Sequence, residues 1–302
     1  MAHDHARSLP GATTCPGPIH PERSLHSATV PVPDHVHRFW KALDDRFASV
    51  APTWWGAVVT DGRFPRIWDA NYARVDAPAP GLRAADVQAD LLPALEDAGV
   101  TVFHVVTFHP EETAGLLAEL SSRGHRLGWD LVMDAGPGDP IQAPRPPQVR
   151  VEELTAGDEL WSRVGASLAL FGVDPGDAVE QLQAIEREVL APGGKRWFGV
   201  RDEDDTVVSL AALLFLEGVG YVDNVATFPE ARGRGYASAL IARIGDEARR
   251  AGAEHVCLFA DPDDEPVVRL YTSLGFREAG RLASTRGPLR PEAEARPQAT
   301  NL

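Results

Sequence analysis

Cysteine is almost missing from this chain of 302 residues, which has two: Cys15 in a polar stretch and Cys257 in an apolar run. Two such separated thiols supply neither a disulfide framework nor a cysteine metal site, and a reducing compartment suits them. Lysine is equally scarce. Lys41 and Lys195 are the only two, while arginine is plentiful, a bias that fits a GC-rich coding sequence. No apolar run approaches the ~20 residues that a membrane span needs, so no membrane role is expected. The chain begins with His3, His5, Pro10 and Gly11 where a secretory signal would have a basic start and an apolar stretch, which predicts a cytoplasmic protein. Positive charge is also short. A formal net charge of −15 repels a phosphate backbone, which argues against nucleic-acid binding and favours cationic or amine-bearing partners. Six histidines lie between His3 and His37, but they lack the ligand spacing of a patterned helix, and no metal is expected.

What is present is the composition of a globular protein, 44% hydrophobic and 24% charged, at a length that suits two domains. Residues 1–33 and 286–302 lack hydrophobic periodicity and read as disordered tails. Residues 135–147 carry Gly136, Pro137, Gly138, Pro140, Pro144, Pro146 and Pro147, the composition of an inter-domain linker. In the first domain, 34–134, Val36, Phe39, Leu43 and Phe47 recur at helical spacing. Extended stretches at 54–60 and 67–75 then read as an antiparallel pair around Asp61-Gly62. Helix 83–98, strand 100–107, helix 111–123 and strand 126–133 follow. The second domain, 148–285, begins with strand 148–154 and helices 157–171 and 175–190. A three-strand meander comes next, at 196–201, 207–216 and 220–227, and then helix 233–251 with Gly252 as its stop. The apolar strand 255–260 should be buried beside a parallel neighbour, and helix 265–273 and strand 276–282 close the unit. The fold class is α/β (α+β): a mixed twisted sheet flanked by helices, in two domains.

The chemistry is concentrated in Val225-Ala226-Thr227-Phe228-Pro229-Glu230-Ala231-Arg232-Gly233-Arg234-Gly235-Tyr236-Ala237, a strand end, a glycine-rich turn and a helix start. The first turn of a helix has unpaired N–H groups and a partial positive charge, and glycines let a pyrophosphate approach without a Cβ collision. Amides of Arg234, Gly235, Tyr236 and Ala237 are thus available to a diphosphate, and the Arg232 and Arg234 side chains add charge. Here the chain resembles the GNAT superfamily, whose acetyl-CoA signature [Q/R]-x-x-G-x-[G/A] is met by Arg232, Gly235 and Ala237. The same superfamily usually continues with a buried strand and a helix carrying a tyrosine before a Leu-Gly-Phe turn, which is Leu270-Tyr271-Thr272-Ser273-Leu274-Gly275-Phe276 here.

The resemblance implies a GNAT-like fold, acetyl-CoA as co-substrate, and Tyr271 near the CoA sulfur as the acid that protonates the leaving thiolate. Superfamily members often have Asn seven residues before this tyrosine, contacting CoA, where this chain has Asp264. A free alkylamine has a pKa of ~10 and must lose a proton before it attacks a thioester. In the strand before the motif, alternation puts Tyr221 and Asp223 on one face with Val225. Asp223 is therefore the candidate base, the alternative being that it holds the cationic acceptor. Tyr221 and Trp197 are the candidate acceptor contacts, and a backbone N–H near Ala226 or Thr227 is the expected oxyanion donor. Direct transfer in a ternary complex is expected, because no Ser/His/Asp or cysteine nucleophile is evident and Cys257 reads as core.

Residues 34–134 repeat the strand and helix order as a shortened, degenerate GNAT-like unit, but Pro78, Pro80 and Gly81 stand where the glycine–arginine turn would be, so no acetyl-CoA is expected there. Trp40, Trp54, Trp55 and Trp68 suit core packing and inter-domain contact better than a ligand pocket. The implied function is acetylation of a small-molecule amine. The alternatives are a protein or peptide N-acetyltransferase, or a non-catalytic acyl-CoA-binding module. Monomer and homodimer both remain open.

Overall fold

The computed structural model describes residues 30–143, 149–173 and 176–289. Cys15, the histidines from His3 to His26 and the linker prolines Pro144, Pro146 and Pro147 lie outside them, as does most of both expected tails. The first half contains α1 (Asp34–Asp44), β1 (Ser49–Thr53), β2 (Gly56–Thr60), β3 (Tyr72–Val75), α2 (Ala84–Asp97), β4 (Val102–Thr107), α3 (Ala114–Ser122) and β5 (Arg126–Ala135). The second contains β6 (Glu152–Leu154), α4 (Asp158–Leu170), α5 (Asp177–Ile185), β7 (Arg196–Arg201), β8 (Val207–Leu216), β9 (Val219–Thr227), α6 (Tyr236–Arg250), β10 (His255–Ala260), α7 (Glu265–Ser273) and β11 (Arg277–Pro288). None of these helices is long and apolar enough to cross a membrane.

All eleven strands form one sheet, ordered β1-β2-β3-β4-β11-β5-β10-β9-β8-β7-β6. The two halves repeat one another. Each has an antiparallel meander (β1-β2-β3 and β7-β8-β9), a helix, a strand parallel to the last of the meander (β4 beside β3, β10 beside β9), a second helix and a closing strand. The closing strands are exchanged. β5 of the first half pairs with β10 of the second, β11 of the second pairs with β4 of the first, and β5 and β11 pair with each other at the centre.

Several local readings change, among them residues 68–70, read as extended, which form a 3₁₀ turn ahead of β3. Ser49–Thr53 is a strand that hairpins onto β2; its Pro52 and half-exposed residues hide it in the sequence, as suits an edge strand. The closing strand continues to Pro288, so residues 286–288, expected in the tail, are paired with β4. Ala135, expected in the linker, is the last residue of β5 and pairs with Val256.

Side-chain alternation divides the helices between the two faces of the sheet. α1, α4 and α5 cover the face that carries Leu214, Val219, Tyr221 and Trp197; α6 and α7 cover the face of Leu213, Val222 and Leu258. α1 lays Phe39, Trp40 and Leu43 on this first face, against β8 and β9 of the other half, and each such side chain contributes roughly 1.5–3 kcal/mol on burial. α6 presents Leu240, Ile241, Ile244 and Ala248 at helical spacing to the second face. It comes so close to β9 that a Cβ at Gly220 would stand 2.5 Å from the Ala248 methyl. That close seating fixes where the start of α6 points. Of the four tryptophans, Trp55 is fully buried and bonds Asp90 Oδ2 at 3.1 Å. Trp40 is core and donates to Tyr72 Oη, Trp68 lies under the Arg286 guanidinium, and Trp54 is exposed. They do not converge on a pocket.

Candidate active site

β9 and β10 are paired only from His255↔Val219 to Cys257↔Tyr221. Beyond that point β10 keeps its partner β5, but β9 turns away, and a cleft of about 640 Å³, counted to its open mouth, lies between them. The cause is visible in β9. Opposite β8, Ala212 pairs with Asp223 and Leu210 with Ala226, so Asn224 and Val225 together stand opposite Ala211. This is a β-bulge, with Asn224 in the left-handed region at φ 52°. Asparagine tolerates that conformation better than most residues. The bulge corrects one expectation: Tyr221 and Asp223 share a face, but Val225 is carried to the opposite one, where it packs with the α6 core.

The bulge also sorts the backbone amides. Phe228 N–H donates to Val208 O at 3.0 Å, so antiparallel alternation assigns the Ala226 N–H to the β8 ladder as well. The Thr227 amide therefore turns toward the opening. The Thr227 hydroxyl is held on the other side by Ser209 at 2.8 Å.

Ahead of the cleft, Gly233 and Gly235 both adopt left-handed φ, 76° and 80°, and the helix starts at Tyr236, three residues later than the sequence pattern suggests. The two glycines are needed for this sharp entry as well as for open access. The first backbone bond at the start of α6 is Ala239 N–H to Gly235 O at 3.1 Å, and no side chain caps the helix. The amides of Tyr236, Ala237 and Ser238 thus face outward. Arg232 and Arg234 are both exposed, with only carbonyl contacts to Thr227 and Glu230.

The cleft brings together Tyr221, Asp223, Val225, Asp264 and Tyr271, five of the residues singled out in the sequence. It adds Phe171, Asn224, Phe259 and Asp261, which carry no motif. Tyr271 comes from α7, is buried and stands across the opening from Asp223. Tyr221 is wedged between Phe39 of α1 and Phe259 of β10, with ring centroids at 5.2 and 5.3 Å. Asp264 caps α7, accepting from Val267 N–H at 3.2 Å. Trp197 does not reach the cleft lining; it is buried on β7 in the row behind Asp223.

Asp223 has a partner the sequence did not announce. Lys195, fully buried, places Nζ 2.6 Å from Asp223 Oδ2 and 2.6 Å from Glu186 Oε1, and 5.1 Å from the centre of the Trp197 ring. Burial alone would pull the ammonium pKa down, but the two carboxylates outweigh it and hold it above the ordinary lysine value. Burial pushes Glu186 up, with Lys195 opposing. The Trp197 indole N–H faces Glu186 and opposes the rise as well. One cation between two carboxylates leaves a net negative charge beside the cleft, which attracts an ammonium.

The equivalent place in the first half is closed. β3 and β4 stay paired to Val75↔Thr107, and Phe108 N–H closes on Val75 O at 3.0 Å. The start of α2 already holds carboxylates: Glu119 accepts from Ala84 N–H at 3.0 Å and Asp86 from Arg83 N–H at 2.9 Å. A diphosphate would meet negative charge there.

A bulged strand splayed from its parallel neighbour, with an uncapped helix start ahead of it, has the form of an acyl-CoA site of the GNAT kind. Residues 167–276 match the model of the Acetyltransferase (GNAT) family. The chain is 28% identical over 222 residues to a mycothiol acetyltransferase of Actinosynnema mirum, covering 69% of this chain and 72% of that one. It is 27% identical over 124 residues to an aminoglycoside N(6')-acetyltransferase type 1 of Serratia marcescens, covering 38% and 85%. The fold is shared with a GCN5-related N-acetyltransferase from Kribbella flavida at a TM-score of 0.52 and 18% identity, over 84% of this chain and 94% of that one. Residues 167–276 are thus a GNAT acetyltransferase domain, and the chain is an enzyme.

Proposed function

We propose that this enzyme transfers the acetyl group of acetyl-CoA to an amine of a small molecule, in the second half alone and by direct transfer in a ternary complex. The observation that carries this reading is the bulge at Asn224 and Val225, which opens β9 from β10 beside a helix start with free amides. The diphosphate would lie on the amides of Tyr236 and Ala237 with Arg232 and Arg234 beside it, and the pantetheine arm would run into the cleft along the Thr227 amide. The Thr227 N–H would polarise the thioester carbonyl. Asp223 would receive the acceptor as an ammonium and take its proton directly or through water. The amine nitrogen then attacks the carbonyl carbon, the C–N bond forms, the C–S bond breaks and Tyr271 protonates the departing thiolate. The relatives named for mycothiol and an aminoglycoside both act on small molecules, which supports that class over a protein substrate. The residues are consistent with a soluble enzyme of the cytoplasm.

Calorimetric titration of the full chain with acetyl-CoA should give one site, and Gly235→Val should weaken it by blocking the amides. Two equivalent sites, or unchanged affinity in a Gly235→Val protein whose circular dichroism shows it folded, would overturn the assignment.

A further inference from the structure

Where α1 begins, three side chains from distant parts of the chain converge away from the cleft. His35 Nε2 lies 3.5 Å from Asp134 Oδ2, and His255 Nδ1 lies 2.8 Å from the same oxygen. The two imidazoles are stacked, with centroids 3.7 Å apart and planes inclined by 14°. The three ligating atoms all fall within 4.8 Å of one another.

We propose that His35, Asp134 and His255 form a binding site for a divalent transition-metal ion of the zinc class, which fastens α1 to the central strands of the sheet. Tetrahedral coordination at ~2.0–2.1 Å places ligand atoms ~3.3–3.4 Å apart, between the 2.8 and 3.5 Å that separate the Asp134 oxygen from the two nitrogens. Two imidazole nitrogens and one carboxylate oxygen form a donor set that such ions take, with one position left open. As they stand, His255 Nδ1 and Asp134 Oδ2 are bonded at 2.8 Å and His35 is left out of the pairing. His35 Nε2 is buried, makes no hydrogen bond and stands 3.5 Å from the carboxylate oxygen. A cation in the middle would satisfy all three groups at once. The carboxylate is also held from behind, where Cys257 Sγ–H donates to Asp134 Oδ1 at 3.3 Å, the kind of outer contact that orients a ligand.

The place of the site gives it a consequence. Asp134 is near the end of β5 in the first half, and His255 opens β10 in the second. His35 is one helical turn before Phe39, which packs on Tyr221 in the cleft wall. A metal here joins both halves and steadies the helix behind the acceptor side. No local spacing announces it, since Asp134 and His255 are 121 positions apart.

The test uses the full chain after chelator treatment, with His3, His5, His20 and His26 replaced together by Ala so that the N-terminal stretch cannot bind. Zn²⁺ titration should give one ion per chain, and Zn²⁺ at a hundredfold excess over its Kd should raise Tm by on the order of 5 °C, whereas Mg²⁺ should not. His35→Gln and His255→Gln should each weaken binding at least about tenfold and remove the rise in Tm. Zinc-edge X-ray absorption on the protein without these two changes should show two imidazoles, a readout that does not depend on how either variant folds. Absence of Zn²⁺ binding, a spectrum without imidazole, or affinity untouched by both variants would overturn the proposal.

Discussion

Lys195→Met keeps the length and apolar stem of the side chain and removes its charge. Nζ stands 2.6 Å from an oxygen of Glu186 and 2.6 Å from one of Asp223, so the two oxygens are no more than about 5 Å apart. At an effective dielectric of ~20 their repulsion is about 3 kcal/mol. Both side chains are almost completely buried, so one of them takes up a proton instead. Removing one partner of a buried ionic cluster typically costs about 3–5 kcal/mol, and that is the loss expected in urea unfolding at pH 7. The sign with pH also follows. A carboxyl whose folded pKa is raised binds its proton more tightly in the native state, so its stabilising effect is complete below the unfolded value and fades as pH rises through the folded one. Lys195→Met should therefore lose stability with rising pH more steeply than the parent. Lys195→Met/Glu186→Gln restores the parent net charge and should recover part of the loss, although it removes one more hydrogen-bonding group. If the double variant is no more stable than the single one, the cluster is not held by charge balance and the reasoning fails.

Tyr271→Phe keeps the ring in its packing and removes the proton donor, so kcat should fall by about 10²–10⁴-fold with little change in acetyl-CoA affinity; full kcat, with chemistry shown to limit turnover, would rule out the acid role. In Asp223→Asn, a lost base should leave activity that recovers partly at high pH as the amine supplies its own neutral fraction. A lost anchor should raise KM with the kcat profile unchanged, and no effect on either would remove Asp223 from the site. His104, in β4, is pushed down to about 3, by burial first and by Arg286 second. Its neutral form is the one folded, so the stability it sustains is present above an unfolded pKa of ~6.5 and is lost as pH falls from there toward 3, by up to about 1.4 kcal/mol per pH unit. Urea midpoints at pH 7 and pH 5 should differ less in His104→Gln than in the parent, and equal slopes would contradict the buried neutral state.

The parts of the site that could be read in the sequence are contiguous ones. The anion-binding turn from Arg232 to Ala237 is a single helix start, and Tyr271 comes with its own Leu-Gly-Phe stop, so local spacing carries both. The bulge is different. Asn224 disturbs the alternation of β9, and the sequence shows only an asparagine in an apolar strand, a residue that accepts positive φ but does not demand it. That single residue separates Val225 from the face of Asp223. Lys195 was invisible for another reason. It follows Gly193-Gly194 at the entry to β7, where a lysine is ordinarily solvated, and only the convergence of β7, β9 and the turn after α5 buries it between two acids. Trp197 lies one row behind the cleft for the same reason: periodicity gives the face of a strand, but which strand ends open onto a cavity depends on the neighbours.

The exchanged strands show why the chemistry and the architecture have different reach along the chain. The match to the family ends at residue 276, one position before β11 begins. Every residue lining the cleft falls within the matched span, and the strand after it leaves for the sheet of the first half. The place beside β10 is taken instead by β5, which pairs from Val256↔Ala135 to Ala260↔Leu131. β10 therefore forms one wall of the cleft while its outer edge is satisfied by the first half, and Tyr221 in the wall leans on Phe39 from the same half. Separating the halves would expose the β10 edge along five paired positions and uncover α1's apolar face, a combination that favours edge-to-edge association over folding. A first half whose own parallel pair is zipped shut thus completes the sheet in which the second pair splays.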